Sequence, residues 1–237
     1  MKFAMRRRLL LAAFLMTAVT GVCGDHEKAS RYFVRGNLEA TQNNFRGAIK
    51  DFTKAIELQP DYAVAYVHRS LAKQSEGDLK GAFEDVDKAI QISPGLAEGY
   101  VARGYLRALG NDTKGAREEF TKAVQVDAKY ALGYVGRGHF RLEDGDVEGA
   151  IEDNSRAFAL QPFLAAQFGA DFALAYYKRG SARLAKGETD LAIQDFTTAI
   201  RLSPKFADAY TGRGNAKRAK GDIDGAHADF ATAAALR

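Results

Sequence analysis

The chain has 237 residues, of which 46% are hydrophobic and 27% charged, a composition typical of a folded protein. Lys2, Arg6, Arg7 and Arg8 account for the formal net charge of +4, because removing these four from 34 basic residues leaves 30 against 30 acidic ones. A neutral remainder lacks the basic surface of a nucleic-acid-binding protein, and the single cysteine, Cys23, excludes a disulfide or a cysteine metal site within the chain.

Residues 1–24 have the layout of a secretory signal peptide. Residues 1–8 are basic, and residues 9–20 are apolar but too few to span a membrane comfortably. Val22, Cys23 and Gly24 then offer small residues for cleavage before Asp25. We therefore expect residues 25–237 to act as an exported protein, in a periplasm or outside the cell.

The same segment leaves alternatives open. It could remain uncleaved as an anchor or fold as a buried first helix. Cleavage before Cys23 with lipidation of its thiol is another option, although Val22 fits poorly the small residue that a lipoprotein signal needs there. Membrane attachment is expected only if the signal is uncleaved or Cys23 is lipidated.

From residue 29 onward the chain repeats a pattern of the form Tyr-x-x-Arg-Gly, then Ala, then an acid followed by an aromatic residue, then Ala and often Pro. The interval is 34 residues, except for 42 between the fourth and fifth copies. A fixed period of this length indicates an array of small structural repeats. The tyrosine position recurs six times, at Tyr32, Tyr66, Tyr100, Tyr134, Tyr176 and Tyr210.

Each copy is predicted to be a helix, a tight turn and an antiparallel helix. In the first copy, residues 30–42 and 45–58 have helical periodicity, with Asn43 and Asn44 between them and Pro60 after them. Gly or Asn suits the left-handed conformation that ends a helix, and Asp or Asn can cap the next one. The break recurs as Gly77-Asp78, Asn111-Asp112, Gly145-Asp146, Gly187-Glu188 and Gly221-Asp222.

Two positions are predicted to face each other across every hairpin. Gly36 and Phe52 lie at a similar height, so that a residue without a side chain meets an aromatic ring. Asn154 takes the aromatic position in the fourth copy, where a polar group must find a hydrogen bond or loosen the local packing. A further glycine recurs in the first turn of most second helices, where glycine weakens a helix. The sequence gives no reason for it beyond the close approach of another element. These glycines are Gly47, Gly81, Gly115, Gly149 and Gly225.

This pattern resembles the tetratricopeptide repeat family over about residues 29–237, in a form typical of an exported bacterial member. Tyr replaces the usual Trp or other aromatic, and Arg replaces the usual Leu before Gly. The resemblance implies an all-α, right-handed superhelical solenoid of six helix-turn-helix repeats, whose first helices line a concave groove that binds a peptide or helix of a partner protein. The repeats fall at 29–62, 63–96, 97–130, 131–164, 173–206 and 207–237.

The arginine that replaces the usual Leu recurs in all six copies. An arginine in each first helix and an acid in each second helix lie at the same height of the hairpin, so we predict an arginine–carboxylate ladder with two-pronged bonds. The alternative is a row of arginines free to bind anions. The pairs are Arg35 with Asp51, Arg69 with Asp85, Arg103 with Glu119, Arg137 with Asp153, Arg179 with Asp195, and Arg213 with Asp229.

Function is expected at positions that vary between copies. One helical stripe of such positions runs along the first helices. The family resemblance implies that this stripe faces the groove. The other interpretation, packing between neighbouring first helices, stays open. The predicted partner-binding stripe comprises Phe33, Asn37, Val67, Leu71, Val101, Tyr105, Val135, His139, Leu142, Tyr177, Leu184 and Asn215, and Ser181, Thr211 and Arg218 occupy equivalent positions.

Eight additional residues fall near 165–172, between the fourth and fifth repeats. This insertion is apolar and carries three phenylalanines with its flank, Phe163, Phe168 and Phe172. It is predicted to extend a helix by roughly 12 Å. It could form a protruding contact surface for a partner, or a local plug between the two repeats.

No constellation of residues indicates catalysis. His26, His68, His139 and His227 lie in separate repeats without metal-ligand spacing, and no metal or cofactor is predicted. We therefore expect a non-catalytic interaction scaffold or adaptor with a protein partner, no nucleic acid and no small-molecule substrate. The alternative is a structural homo-oligomer assembled through the Ala-rich, uncapped C-terminal helix over residues 223–237.

Overall fold

The computed structural model describes residues 25–237, so the predicted signal peptide and Cys23 lie outside it. The described residues form twelve α-helices and no strand. In chain order these are α1 Asp25–Thr41, α2 Phe45–Leu58, α3 Ala63–Ser75, α4 Leu79–Ile92, α5 Ala97–Leu109, α6 Thr113–Val126, α7 Ala131–Glu143, α8 Val147–Leu160, α9 Phe163–Ala185, α10 Thr189–Leu202, α11 Ala207–Lys220 and α12 Ile223–Ala235.

The helices pack as consecutive pairs, consistent with a tetratricopeptide-repeat solenoid of about six repeats. The first helix of each pair is odd-numbered and the second even-numbered. The chain forms two compact units, one ending at Gly136 and the other beginning at Arg137. Repeats one to three lie in the first unit, and repeats five and six in the second.

The turn inside each hairpin follows the predicted chemistry. Asn43 and Asn111 have φ values of 61° and 62°, and Gly occupies the left-handed conformation in the remaining four turns. Only glycine and, less readily, asparagine adopt this conformation at low cost. The first residue of each break therefore ends one helix and reverses the chain.

The glycines in the first turn of the second helices are explained by the caps. In α4 the Asp78 side chain accepts a 2.8 Å hydrogen bond from the amide of Gly81, and a Cβ on Gly81 would collide with the other carboxylate oxygen. The same cap geometry recurs in α2, α6, α8 and α12. In α10 the position of this glycine is taken by Leu191, and the side chain of Glu188 makes no capping hydrogen bond there.

The predicted approach of Gly36 and Phe52 is present. A Cβ on Gly36 would lie 2.7 Å from the Phe52 ring, so a larger residue would push the two helices apart. Gly104, Gly180 and Gly214 meet Phe120, Phe196 and Phe230 in the same way.

Asn154 is buried at the aromatic position of the fourth repeat. Neither its amide nitrogen nor its amide oxygen has a hydrogen-bond partner among the described residues. The expected hydrogen bond is therefore absent, and the local packing carries the cost of an unpaired polar group.

The insertion is helical and continues into the first helix of repeat five, which makes α9 23 residues long against 14 for α11. Its large apolar side chains do not protrude, because Phe168 and Phe172 are buried, as is Leu164 just before them. The Phe172 ring packs 5.8 Å from Phe158 of α8. The protruding contact surface is thus corrected to the alternative, a plug packed into the second unit, with Phe163 alone of the three phenylalanines exposed.

Candidate functional site

The structure pairs every arginine of the predicted ladder with its expected carboxylate. In repeat two, Arg69 Nε donates to Asp85 Oδ2 at 2.8 Å and Nη2 donates to Oδ1 at 2.6 Å. Arg35, Arg137, Arg179 and Arg213 make the same two-pronged contact, and Arg103 Nη2 donates to Glu119 at 3.0 Å. All six carboxylates are buried. The arginines are therefore not a free row for anions.

A second cation, which sequence reasoning missed, completes each pair from repeat two onward. Lys73 Nζ lies 2.8 Å from Asp85, and Arg183 Nη1 lies 2.8 Å from Asp195. Lys73 follows Arg69 by one helical turn, so the spacing of four residues could have shown it. The equivalent cations are Arg107, Arg141 and Lys217, whereas repeat one has Glu39 at this position.

The repeated tyrosines serve the same pairs. The guanidinium of Arg69 lies 5.4 Å from the centre of the Tyr66 ring, and Arg213 lies 5.6 Å from that of Tyr210. Stacking on an aromatic face holds the planar guanidinium in register with the carboxylate. Tyr, Arg and acid thus form one structural unit, which leaves the varying positions for function.

Half of the predicted partner-binding stripe is buried. The buried members are therefore corrected to packing residues, and they are Phe33, Val67, Leu71, Val101, Val135 and Leu142. Tyr105 packs its ring 4.9 Å from Phe120, and burial raises the pKa of its phenol, which therefore stays neutral. His139 is partly exposed and faces Glu143 at 3.5 Å.

Asn37 belongs to a polar group inside the first unit. Its Oδ1 lies 2.6 Å from Nδ1 of the buried His68, whose Nε2 lies 3.1 Å from Glu98 Oε1. These three residues come from three successive first helices, α1, α3 and α5. Because their polar atoms are directed at one another, Asn37 is a connecting residue within the first unit.

The last three stripe residues come together in one open cleft of the second unit. Tyr177 and Leu184 of α9 face Asn215 of α11, and Ser181 and Thr211 lie between them. Phe196 of α10 contributes to the same cleft, which has a volume of about 340 Å³. This volume holds a few side chains and lies near the lower end of the range for ligand pockets.

The cleft combines an apolar floor with polar groups at its edge. Tyr177 packs its ring 5.2 Å from Phe206 and 5.9 Å from Phe196. The hydroxyls of Ser181 and Thr211 donate to carbonyls of their own helices. Asn215 and Asp208 supply the stronger polar groups.

Asp208 gives the cleft a negative charge near solvent. Its carboxylate is exposed and lies 3.2 Å from Nη2 of Arg237, a pair that is open to exchange because both side chains are solvated. Asn215 accepts from Arg218 through Oδ1 at 3.2 Å, which leaves the amide nitrogen to donate elsewhere. The arrangement can therefore bind a cation, a backbone carbonyl and an apolar side chain together.

No group of three or more His, Cys, Asp or Glu side chains within residues 25–237 is arranged to hold a metal ion. Within the same range, no helix has the length and apolar character needed to cross a membrane.

Two family descriptions match parts of the chain. One described as "Tetratricopeptide repeat" matches residues 33–97, and one described as "TPR repeat" matches residues 180–221. The matches fall on repeats one and two and on parts of repeats five and six, and they support the tetratricopeptide repeat family. No curated protein matches the sequence at a significant level.

Solved structures share the fold at low sequence identity. The pilF protein of Pseudomonas aeruginosa is similar with a TM-score of 0.67 at 20% identity, over 87% of this chain and 90% of that one. YrrB, described as a TPR protein with an unusual peptide-binding site, is similar with a TM-score of 0.59 at 22% identity, over 78% and 92%. PilW, a type IV pilus biogenesis factor, is similar with a TM-score of 0.57 at 19% identity, over 85% and 90%.

Proposed function

We propose that this protein is a non-catalytic interaction scaffold that binds a short segment of a partner protein in the cleft between α9 and α11. The observation that carries the proposal is that varying residues of two repeats, Tyr177, Leu184 and Asn215, line one open cleft. The invariant Tyr, Arg and acid positions are occupied by structural contacts, so the varying residues are the ones free to bind.

The chemistry of the cleft defines the kind of segment it would bind. An apolar side chain would pack against Tyr177, Leu184 and the ring of Phe196. A neighbouring Lys or Arg would pair with Asp208, and a backbone carbonyl would accept from Asn215. The proposed ligand is thus an extended peptide in which an apolar residue adjoins a basic one.

The comparisons are consistent with a peptide ligand. The tetratricopeptide-repeat fold is typical of protein-interaction scaffolds, and YrrB shares the fold and has a peptide-binding site. The sequence of this cleft supplies the preference for a basic residue, which comes from Asp208 rather than from any relative.

A peptide array tests the proposal on the full chain. The peptides would carry Leu or Phe next to Lys, Glu or Ala. We expect binding of the Lys series, and we expect Leu184→Glu to weaken it at least about tenfold, equivalent to about 1.4 kcal/mol. Asp208→Asn should weaken the Lys series selectively and reduce its dependence on salt.

Leu191→Glu is the matched control, because Leu191 is an exposed leucine of the same unit and does not line the cleft. Full binding by Leu184→Glu, or an equal loss in Leu191→Glu, would show that the peptide binds elsewhere. Absence of any bound peptide in the array would contradict the proposed ligand class.

We further propose that the protein works outside the cytosol, in a periplasm or the extracellular space. The support is the basic and apolar pattern of residues 1–24. Mass spectrometry of the mature N-terminus provides the test, with a chain that starts at Asp25 as the expected result. An intact Met1, or a lipid on Cys23, would contradict cleavage before Asp25.

A further inference from the structure

The side of α1 turned away from α2 carries two large apolar side chains in solvent. Val34 is 64% exposed and Leu38 is 57% exposed, the highest values for large hydrophobic residues in the described chain. With Arg31 they form one helical stripe, which we call the back face of α1. An exposed apolar stripe on a regular helix marks a surface for contact with another element.

The same repeat positions are buried in the next two first helices. In α3 they are Ala65, His68 and Ala72, and in α5 they are Gly99, Ala102 and Leu106. The second helix of the preceding repeat covers them. The His68 ring lies 5.7 Å from that of Phe52, and a Cβ on Gly99 would lie 3.0 Å from Ile90.

In the second unit, the back-face positions are covered by the preceding repeat in repeat six, but two of them are exposed in repeat five. A Cβ on Gly212, at the position of Val34, would lie 2.6 Å from the Phe196 ring of the preceding repeat. Lys178 and Ala182, the equivalents of Val34 and Leu38 in repeat five, are exposed next to the insertion. The back face is therefore covered wherever the period of 34 residues is kept.

α12 presents the complementary surface. His227, Ala231 and Ala234 are exposed, and Phe230 is partly exposed, on what we call the outer face of α12. In α2 the equivalent of Phe230 is Phe52, which is fully buried under His68. The equivalent of Ala231 is Thr53, whose hydroxyl accepts a 3.1 Å hydrogen bond from Arg69 of the next repeat.

At one pair of positions the sizes of the residues on these two faces also match. Inside the first unit a small residue meets a large one, since Gly99 lies on Ile90 and Gly133 lies on Val124. On the two open faces the sizes are exchanged, because Arg31 takes the position of the glycine and Ala234 that of the isoleucine. This pair of positions therefore again combines one large and one small residue, as close packing requires.

We propose that the back face of α1 binds the outer face of α12 of a second copy of this chain, head to tail. The contact would continue the packing already present between successive repeats, with Val34 on Phe230 and Leu38 beside His227. Such a heterologous contact can propagate from copy to copy. It goes beyond the peptide scaffold and does not depend on the cleft between α9 and α11.

Light scattering on two blocked forms of the full chain tests the proposal. One form carries Val34→Glu with Leu38→Glu, and the other carries Ala231→Glu with Ala234→Glu. Wild-type chain should exceed the mass of a single copy as its concentration rises, and each blocked form should stay monomeric. An equimolar mixture should reach twice the monomer mass and stop there. The one open face of each blocked form would bind the other, and the resulting dimer would have no open face left.

Leu79→Glu with Leu191→Glu is the matched control, since both leucines are exposed but lie on neither face. This control should associate like wild type, and circular dichroism should show equal helix content in all forms. A monomeric wild type, self-association of either blocked form, or a mixture that stays monomeric would each overturn the proposal. Contact of residues 1–24 with the back face would produce the first of these results.

Discussion

At the scale of single residues, the buried acids are the groups whose environment is most constrained. Each has a carboxylate taken out of water, which is tolerated because Arg and, from repeat two onward, a second cation bind it. Removal of a cation leaves a buried charge with fewer partners. The loss of stability when one partner is removed is therefore larger than the net stabilisation that the intact pair provides.

Arg179→Ala should lower the free energy of unfolding by about 3 kcal/mol, toward the low end for a broken buried pair because Arg183 still binds Asp195. Urea denaturation measures the change. Arg201→Ala, at an exposed arginine of α10, should change stability by less than about 0.5 kcal/mol. Equal effects of the two substitutions would contradict a structural role for the ladder.

Asp229 predicts a dependence of stability on pH. Burial alone would raise the pKa of its carboxyl, but the hydrogen bonds and charges of Arg213 and Lys217 outweigh burial and hold the pKa below the ordinary value of 3.8. A lowered pKa stabilises the folded state fully above that value, and this contribution is lost as pH falls through the folded pKa. The stability difference between wild type and Asp229→Asn should therefore shrink below about pH 4. A difference that stays constant in acid would show that the pKa is not lowered.

Asn154→Leu should raise the free energy of unfolding by about 1–3 kcal/mol, because it removes two unpaired polar atoms and keeps the branching of the side chain at Cγ. The matched substitution Asn37→Leu should destabilise instead, since it removes the 2.6 Å contact with His68. Thermal denaturation compares the two. Destabilisation by Asn154→Leu would mean that the amide is bonded in solution.

At the scale of elements, α9 differs from the other first helices because its added turns lie inside the second unit. Phe168 and Phe172 are buried, and a Cβ on Gly169 would lie 3.1 Å from Leu202 of α10. The apolar side chains of the insertion thus pack against the second helices of repeats four and five.

Phe168→Ala should cost about 3–5 kcal/mol of unfolding free energy, as expected for a buried aromatic side chain. Phe163→Ala is the control of identical chemistry, because Phe163 is 48% exposed, and its effect should stay below about 1 kcal/mol. Chemical denaturation of both variants gives the comparison. A small effect at Phe168 would restore the protruding surface as an interpretation.

The sequence predicts the elements better than the site. Helix pairs, turns and the arginine–carboxylate pairs follow from residues that recur at fixed spacing, because each contact closes within one hairpin. The binding stripe was half wrong, because burial of Phe33 or Val67 depends on how successive repeats pack, which no single repeat encodes. The cleft at Tyr177 and Asn215 likewise needs two repeats placed side by side.

At the scale of the whole molecule, a repeat array distributes its stability over contacts between neighbours rather than over one central core. Repeats one and five are separated along the chain by repeats two, three and four. Their buried alanines, Ala48 and Ala192, occupy the same position in each hairpin. Substitutions at the two sites should therefore act independently.

Ala48→Gly and Ala192→Gly should each cost about 1 kcal/mol. The double variant should show the sum of the two losses within about 0.5 kcal/mol, as measured by a double-mutant cycle in urea. Ala192→Gly combined with Phe196→Leu gives the comparison for close residues, where coupling is expected. Strong coupling between Ala48 and Ala192 would contradict an array stabilised by nearest neighbours.

The arginine–carboxylate pairs also bear on how such a chain can change in length. Each arginine lies 16 residues before its acid, inside one hairpin, so a cut between hairpins separates no buried charge from its partner. Duplication or loss of a whole hairpin therefore leaves electrostatic balance intact. The one change of period in this chain, the insertion at the start of α9, follows such a joint between hairpins and interrupts none of the pairs. Hairpin joints are accordingly the places where the gene could gain or lose segments without unfolding the product.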